Sequence, residues 1–155
     1  MSLLFLETAS VNKREVMDTR LQQLEIPHVM AATSNEARRL LESGQHFDCF
    51  RTHTWGANEH GVPEPLSGTG TFLDTFQRHP ELLDACGRNI VICVTMGSRT
   101  LREKIESLLH RFPDVSVRPV DGMYESEFWE AWKKDHSTNA HVIGEEERRS
   151  EWLPC

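Results

Sequence analysis

The sequence predicts a doubly wound α/β domain, a single parallel sheet covered by helices on both faces. Two observations carry this. Short apolar runs recur along the chain, and each is followed by a segment of helical spacing; that alternation is the pattern of a parallel sheet with crossover helices. The most apolar run, Ile90 to Val94 within Asn89–Thr95, is rich in β-branched residues and lies between Gly87-Arg88 and Met96-Gly97-Ser98. A run of that kind reads as a strand buried on both faces, and such strands belong to parallel sheets covered by helices.

The elements follow in order. Leu3 to Leu6 is a short apolar strand that stops at Glu7-Thr8-Ala9-Ser10. Ser10 is placed to cap a helix over Val11 to Leu24, where Val11, Val16, Met17, Leu21 and Leu24 lie close to one face and Pro27 closes the segment. His28 to Ala32 is the second strand. Ser34 is expected to cap the second helix, which carries Ala37, Leu40 and Leu41 and ends at Gly44. Phe47 to Thr52 is the third strand, and Arg51 and Thr52 are unusually polar for its central position. Residues 53–70, rich in glycine and proline, form the longest loop, and long loops tend to carry function. Thr71 to Cys86 is helical, with a break expected near His79 because Pro80 sits inside it. The Asn89–Thr95 strand, around which the others are organised, comes next. Ser98 is expected to cap a helix through His110, faced by Leu101, Ile105, Leu108 and Leu109. Val115 to Val117 is the fifth strand and Tyr124 to Lys134 the fifth helix. Residues 1–134 read as one domain and 135–155 as a polar tail or linker, with a charge run from Glu145 to Arg149. For a five-stranded sheet of this class the expected order is 2-1-3-4-5, the flavodoxin-like winding.

Composition narrows the function classes. The 155 residues suit one domain, and 38% apolar content suffices for its core. A net charge of −7 argues against nucleic acid or an anionic membrane as partner. No apolar run approaches the roughly 18 residues of a membrane span, and the apolar N-terminus is too short for a signal peptide. Cys49, Cys86, Cys93 and Cys155 form no C-x-x-C pair, which reads as reduced thiols in a cytoplasmic setting. The eight histidines show no tight ligand spacing; His53 and His60 alone do not make a metal site. No metal and no cofactor is expected.

The carboxyl ends of the strands are where open α/β sheets place their sites. There the chain offers Glu7 and Thr8, His53 and Thr54, Thr95, and Arg118-Pro119. Taken alone, Thr95 reads as a cap. Gly68-Thr69-Gly70-Thr71 has the look of a phosphate-binding turn, but it lacks both the dinucleotide glycine spacing and the P-loop lysine, so a flexible connection with Thr71 as cap is the expectation.

Residues 3–134 resemble the receiver domain of two-component response regulators. The resemblance rests on Glu7-Thr8-Ala9-Ser10-Val11-Asn12-Lys13-Arg14-Glu15, similar to the acidic-pair stretch running into the first helix; on Glu36-Ala37-Arg38-Arg39-Leu40-Leu41 and Phe47-Asp48; on Val94-Thr95, similar to the switch hydroxyl; and on Val117-Arg118-Pro119-Val120, similar to the lysine-proline end of the fifth strand. It implies a CheY-like fold and a signalling role. It also implies a site where two acidic residues and a phospho-accepting aspartate hold Mg²⁺. The chain departs from that site. The acidic pair reads Glu7-Thr8, so one carboxylate is missing. The acceptor position falls on His53, and Asp48 lies too early in its strand to reach the edge. The lysine is replaced by Arg118. Mg²⁺ requires oxygen ligands, usually carboxylates, and imidazole forms no acyl phosphate.

The resemblance therefore implies a degenerate receiver, a pseudo-receiver that binds protein partners such as sensor kinase or regulator domains without aspartyl phosphorylation, and is not an enzyme; a homodimer is the other arrangement. Glu7 and Arg118 either pair across the vacated pocket or stand as solvated edge residues. His53 fills a polar pocket; phosphohistidine chemistry and pH sensing are the alternatives. Trp129 and Trp132 are either core or an exposed partner-binding pair. The competing reading from another class is a small α/β enzyme or ligand-binding domain in which Glu7, His53 and Thr95 act as acid, base and anchor.

Overall fold

In a computed structural model, residues 2–8, 10–53, 55–57, 63–65, 67–94 and 99–137 are described. The chain runs β1 (Leu3–Leu6), α1 (Val11–Gln23), β2 (His28–Ala31), α2 (Ser34–Glu42), β3 (Cys49–His53), β4 (Trp55–Ala57), β5 (Pro63–Pro65), α3 (Ser67–Arg78), α4 (Glu81–Ala85), β6 (Asn89–Val94), α5 (Arg99–Arg111), β7 (Ser116–Asp121), a 3₁₀ turn (Gly122–Tyr124) and α6 (Glu125–Ser137). The main sheet has the order β2-β1-β3-β6-β7, and all of its pairings are parallel. This is the expected 2-1-3-4-5 winding, with the antiparallel β4–β5 ribbon inserted after the third strand.

Alternation along the strands divides the core in two. Leu4, Leu6, Phe50, Ile90, Ile92 and Val117 pack with α2, α3, α4 and α5. Leu3, Phe5, Cys49, Val91 and Val120 pack with α1 and α6, joined by Met17, Leu21, Trp129 and Trp132. The organising run is β6, which lies between β3 and β7 and is buried from Ile90 to Cys93.

Several local expectations shift. Ser10 caps α1, accepting from the Lys13 amide at 3.1 Å. The cap of α2 is Thr33 rather than Ser34: its hydroxyl accepts from the Glu36 amide at 3.1 Å, while the Glu36 carboxylate accepts from the Ala32 amide at 3.1 Å. The two hydroxyls are adjacent, and Thr33 is the one in extended backbone, as a cap must be. α3 begins at Ser67, so Gly68, Gly70 and Thr71 lie in a helix and not in a flexible connection. The break at Pro80 is present, between α3 and α4. β7 runs on to Asp121, well past Val117, and carries Pro119 opposite Ile92. The Glu145–Arg149 charge run lies outside the described residues.

Candidate functional site

The polar residues of β3 define the site. A charged side chain is almost never fully buried unless it is paired, and Arg51 is 0% exposed. In the parallel register Arg51 stands beside Phe5 and Val91, so it points toward α1 and α6. Its Cζ lies 4.0 Å from the centroid of the Phe5 ring, a cation–π contact. The guanidinium donates four hydrogen bonds. Nε and Nη2 donate to the two Glu125 carboxylate oxygens at 2.8 and 2.7 Å. Nη1 donates to the Leu6 carbonyl at 2.7 Å and to Glu7 Oε1 at 3.1 Å. A planar donor fork matches a carboxylate in this bidentate way, whereas an ammonium does not.

Both carboxylates are buried: Glu7 is 1% and Glu125 2% exposed. Glu7 directly follows β1. Glu125 opens α6, where a helix N-terminus favours negative charge. Lys13, in the first turns of α1, reaches Glu125 Oε1 at 3.2 Å, and the Trp129 indole donates to Glu125 Oε2 at 3.1 Å. Two carboxylates, a guanidinium and an ammonium thus balance to zero. Burial alone would push the Glu125 carboxyl up. The charge and hydrogen bonds of Arg51, the Trp129 bond and the Lys13 charge outweigh it and hold the carboxyl down at about 2. Burial likewise opposes the charge on Arg51, and Glu125 above all, followed by Cys93 and Glu7, keeps it ionised. Cys93, at 3.7 Å from Lys13 Nζ, is pushed up to about 11, chiefly by burial and against the influence of Arg51. It is therefore a thiol and not a nucleophilic thiolate.

The sequence-predicted residues distribute as follows. Glu7 lies in the cluster, its carboxylate bonded to Arg51. Thr8 follows it, half-buried. His53 ends β3, 8% exposed and opposite Cys93. Thr95 and Thr54 lie outside the described residues. Arg118 is opposite Val91, short of the carboxyl end of β7, and its guanidinium lies 5.7 Å from the centroid of the Phe128 ring. The strand is longer than Val115–Val117 suggests, so Asp121 and not Arg118 ends it. Asp48 stays at the opposite edge, where it accepts from the Ser2 amide at 2.6 Å.

Trp129 and Trp132 are core, at 0% and 6% exposure, and do not form an exposed pair. Their rings sit edge-to-face at 5.4 Å, and Trp129 also packs on Phe5 and Phe128. Tertiary packing decides this: the face of α6 that carries both indoles is the one laid on the sheet.

Arg51, Glu125 and Lys13 are the members that sequence reasoning missed. Arg51 was the legible signal, since a buried strand cation demands buried anions.

Mg²⁺ does not fit these residues. The Glu7 carboxylate already accepts from a guanidinium, a threonine follows it, and an imidazole ends β3. Among the described residues no three His, Cys, Asp or Glu side chains are grouped to hold a metal ion. Nor is any described helix long and apolar enough to cross a membrane.

No family model matches this sequence, and no curated protein matches it. Solved structures do. The chain is similar to the chemotaxis protein CheY4 of Vibrio cholerae, with a TM-score of 0.59 at 14% identity over 88% of this chain and 96% of that one. It is also similar to the N-terminal domain of a response regulator/sensory box/GGDEF three-domain protein from Carboxydothermus hydrogenoformans, with a TM-score of 0.56 at 16% identity over 91% of this chain and all of that one. The chain has the CheY-like flavodoxin fold. Within that fold the Arg51 cluster lies just below the carboxyl edge of the sheet, between β1, β3 and the starts of α1 and α6.

Proposed function

We propose that this chain is an atypical, receiver-like signalling module that works by binding protein partners, sensor kinase or regulator domains, in the cytoplasm and without aspartyl phosphorylation. Residues 1–134 and the last turn of α6, which runs to Ser137, act as the module, and the rest of 135–155 as its linker or tail. The observation that carries this reading is the bond between Glu7 and Arg51. The carboxylate that a phosphorylatable receiver commits to Mg²⁺ is here committed to a guanidinium. His53 at the end of β3 supports it, since no carboxylate stands there to accept a phosphoryl group. In this reading Glu7, Thr8, His53, Thr95 and Arg118 are the positions of a degenerate phosphoacceptor site.

The competing reading, a small α/β enzyme using Glu7, His53 and Thr95, loses support on the same bond. A general acid or base must reach its substrate, and Glu7 is buried with its carboxylate engaged.

The test is incubation of the chain with Mg²⁺ and acetyl phosphate, followed by intact-mass measurement. No phosphorylated species is expected. A hydroxylamine-labile phosphate on the chain would overturn the proposal.

A further inference from the structure

The contacts of Arg51 share a chemistry that the loss of phosphotransfer does not require. Every one of its polar contacts is to oxygen: the Leu6 carbonyl, Glu7 Oε1, and both Glu125 carboxylate oxygens. Two carboxylates and a main-chain carbonyl, from the end of β1 and the start of α6, are the ligand chemistry of a hard divalent cation. Here one cation, covalently part of β3, occupies that set. Lys13 supplies the second positive charge, 3.2 Å from Glu125 Oε1.

We propose that Arg51 is a built-in cation: its guanidinium occupies an oxygen cage that would otherwise take a divalent metal ion, and so fixes the start of α6 to β1 and β3 without any ion from solution. Removing a member of a buried charge set leaves the others unpaired, which is strongly destabilising. Without the guanidinium, Glu7 and Glu125 lose the cation they share, while Lys13 stays beside Glu125. Such a pair takes up a proton or a cation. The side chain vacates the space between them, and oxygen is the only ligand type they present. The inference shares the Glu7–Arg51 bond with the proposed reading, but it is read in Tm and ion binding and not in phosphate, and its own failure would leave the partner-binding reading intact.

The experiment compares wild type with Arg51→Ser by thermal unfolding, in EDTA and in millimolar Mg²⁺, Ca²⁺ or Mn²⁺. The wild-type Tm is expected to be the same in all of these. Arg51→Ser is expected to have a lower Tm in EDTA and to recover several degrees with divalent cation. Isothermal titration is expected to show a single saturable ion site that is lost in Arg51→Ser/Glu125→Gln. If Arg51→Ser does not fold in EDTA, it is refolded from urea with and without the ions, and recovery only with them supports the proposal. A folded Arg51→Ser whose Tm ignores divalent cations overturns it, as does recovery in neither refolding condition. A wild-type Tm that rises with the ions as much as the variant's also overturns it.

Discussion

Replacing Glu125 with Gln tests the charge cluster most directly, because the change removes one negative charge and almost no volume. The side chain is 2% exposed and accepts two bonds from Arg51 and one from Trp129. Its carboxyl is held at about 2, against an ordinary value of 4.5. At about 1.4 kcal/mol for each tenfold change in acidity, that gap corresponds to roughly 3 kcal/mol of folding free energy. Removing one partner of a buried pair costs a similar amount, about 3–5 kcal/mol. The sign follows from a carboxyl whose folded value lies below its unfolded one. Its stabilisation is complete above about pH 4.5 and is lost as pH falls through about 2. Urea unfolding of wild type and Glu125→Gln is therefore expected to differ by about 3 kcal/mol at neutral pH, with roughly half of that difference left near pH 3. A difference that stays constant from about pH 6 to about pH 3 would refute the reasoning, because the lost stability would then owe nothing to the ionised carboxylate.

Two further outcomes follow from geometry already described. His53→Asp, which places a carboxylate at the end of β3, is expected to gain no phosphate from acetyl phosphate and Mg²⁺, because Glu7 remains bonded to Arg51; intact mass reads this, and a labile phosphate on the variant would contradict it. Gly87→Ala should lower stability by about 1–2 kcal/mol in urea titration: Gly87 has φ +62°, and a Cβ there would lie 3.1 Å from the Asp48 carbonyl oxygen. An unchanged midpoint would contradict it.

The sheet was legible because its signals are local. The β-branched run of β6, the Ser10 cap of α1 and the proline between α3 and α4 each announce themselves within a few residues, and the winding order follows from the number of strands. β7 reads short because Arg118 and Pro119 interrupt its apolar pattern, although an edge strand tolerates both. The start of α3 is hidden by Gly68 and Gly70, poor helix formers that tertiary context overrides. The charge cluster was legible in two of its four members, Glu7 at the end of β1 and Arg51 by its polarity. Arg51 stands out as polar in a central strand, but nothing local connects it to Glu125, which lies 74 residues away. One of the two readings of Glu7 paired it with Arg118, the residue that resembles the position of a lysine. The register of β7 places that residue in mid-strand, and β3 supplies Arg51 instead. The indoles of α6 had two readings, and helical spacing alone cannot choose the face that meets the sheet.

Pro119 has a consequence for how such molecules meet one another. β7 is an outermost strand of the main sheet, and an outermost strand is a ready template for recruiting another chain through its main-chain groups. A proline has no amide hydrogen to contribute. Continuous β-augmentation along that flank is therefore interrupted at residue 119, which guards the flank against fibre-like stacking and leaves side chains as the means by which another molecule can recognise it.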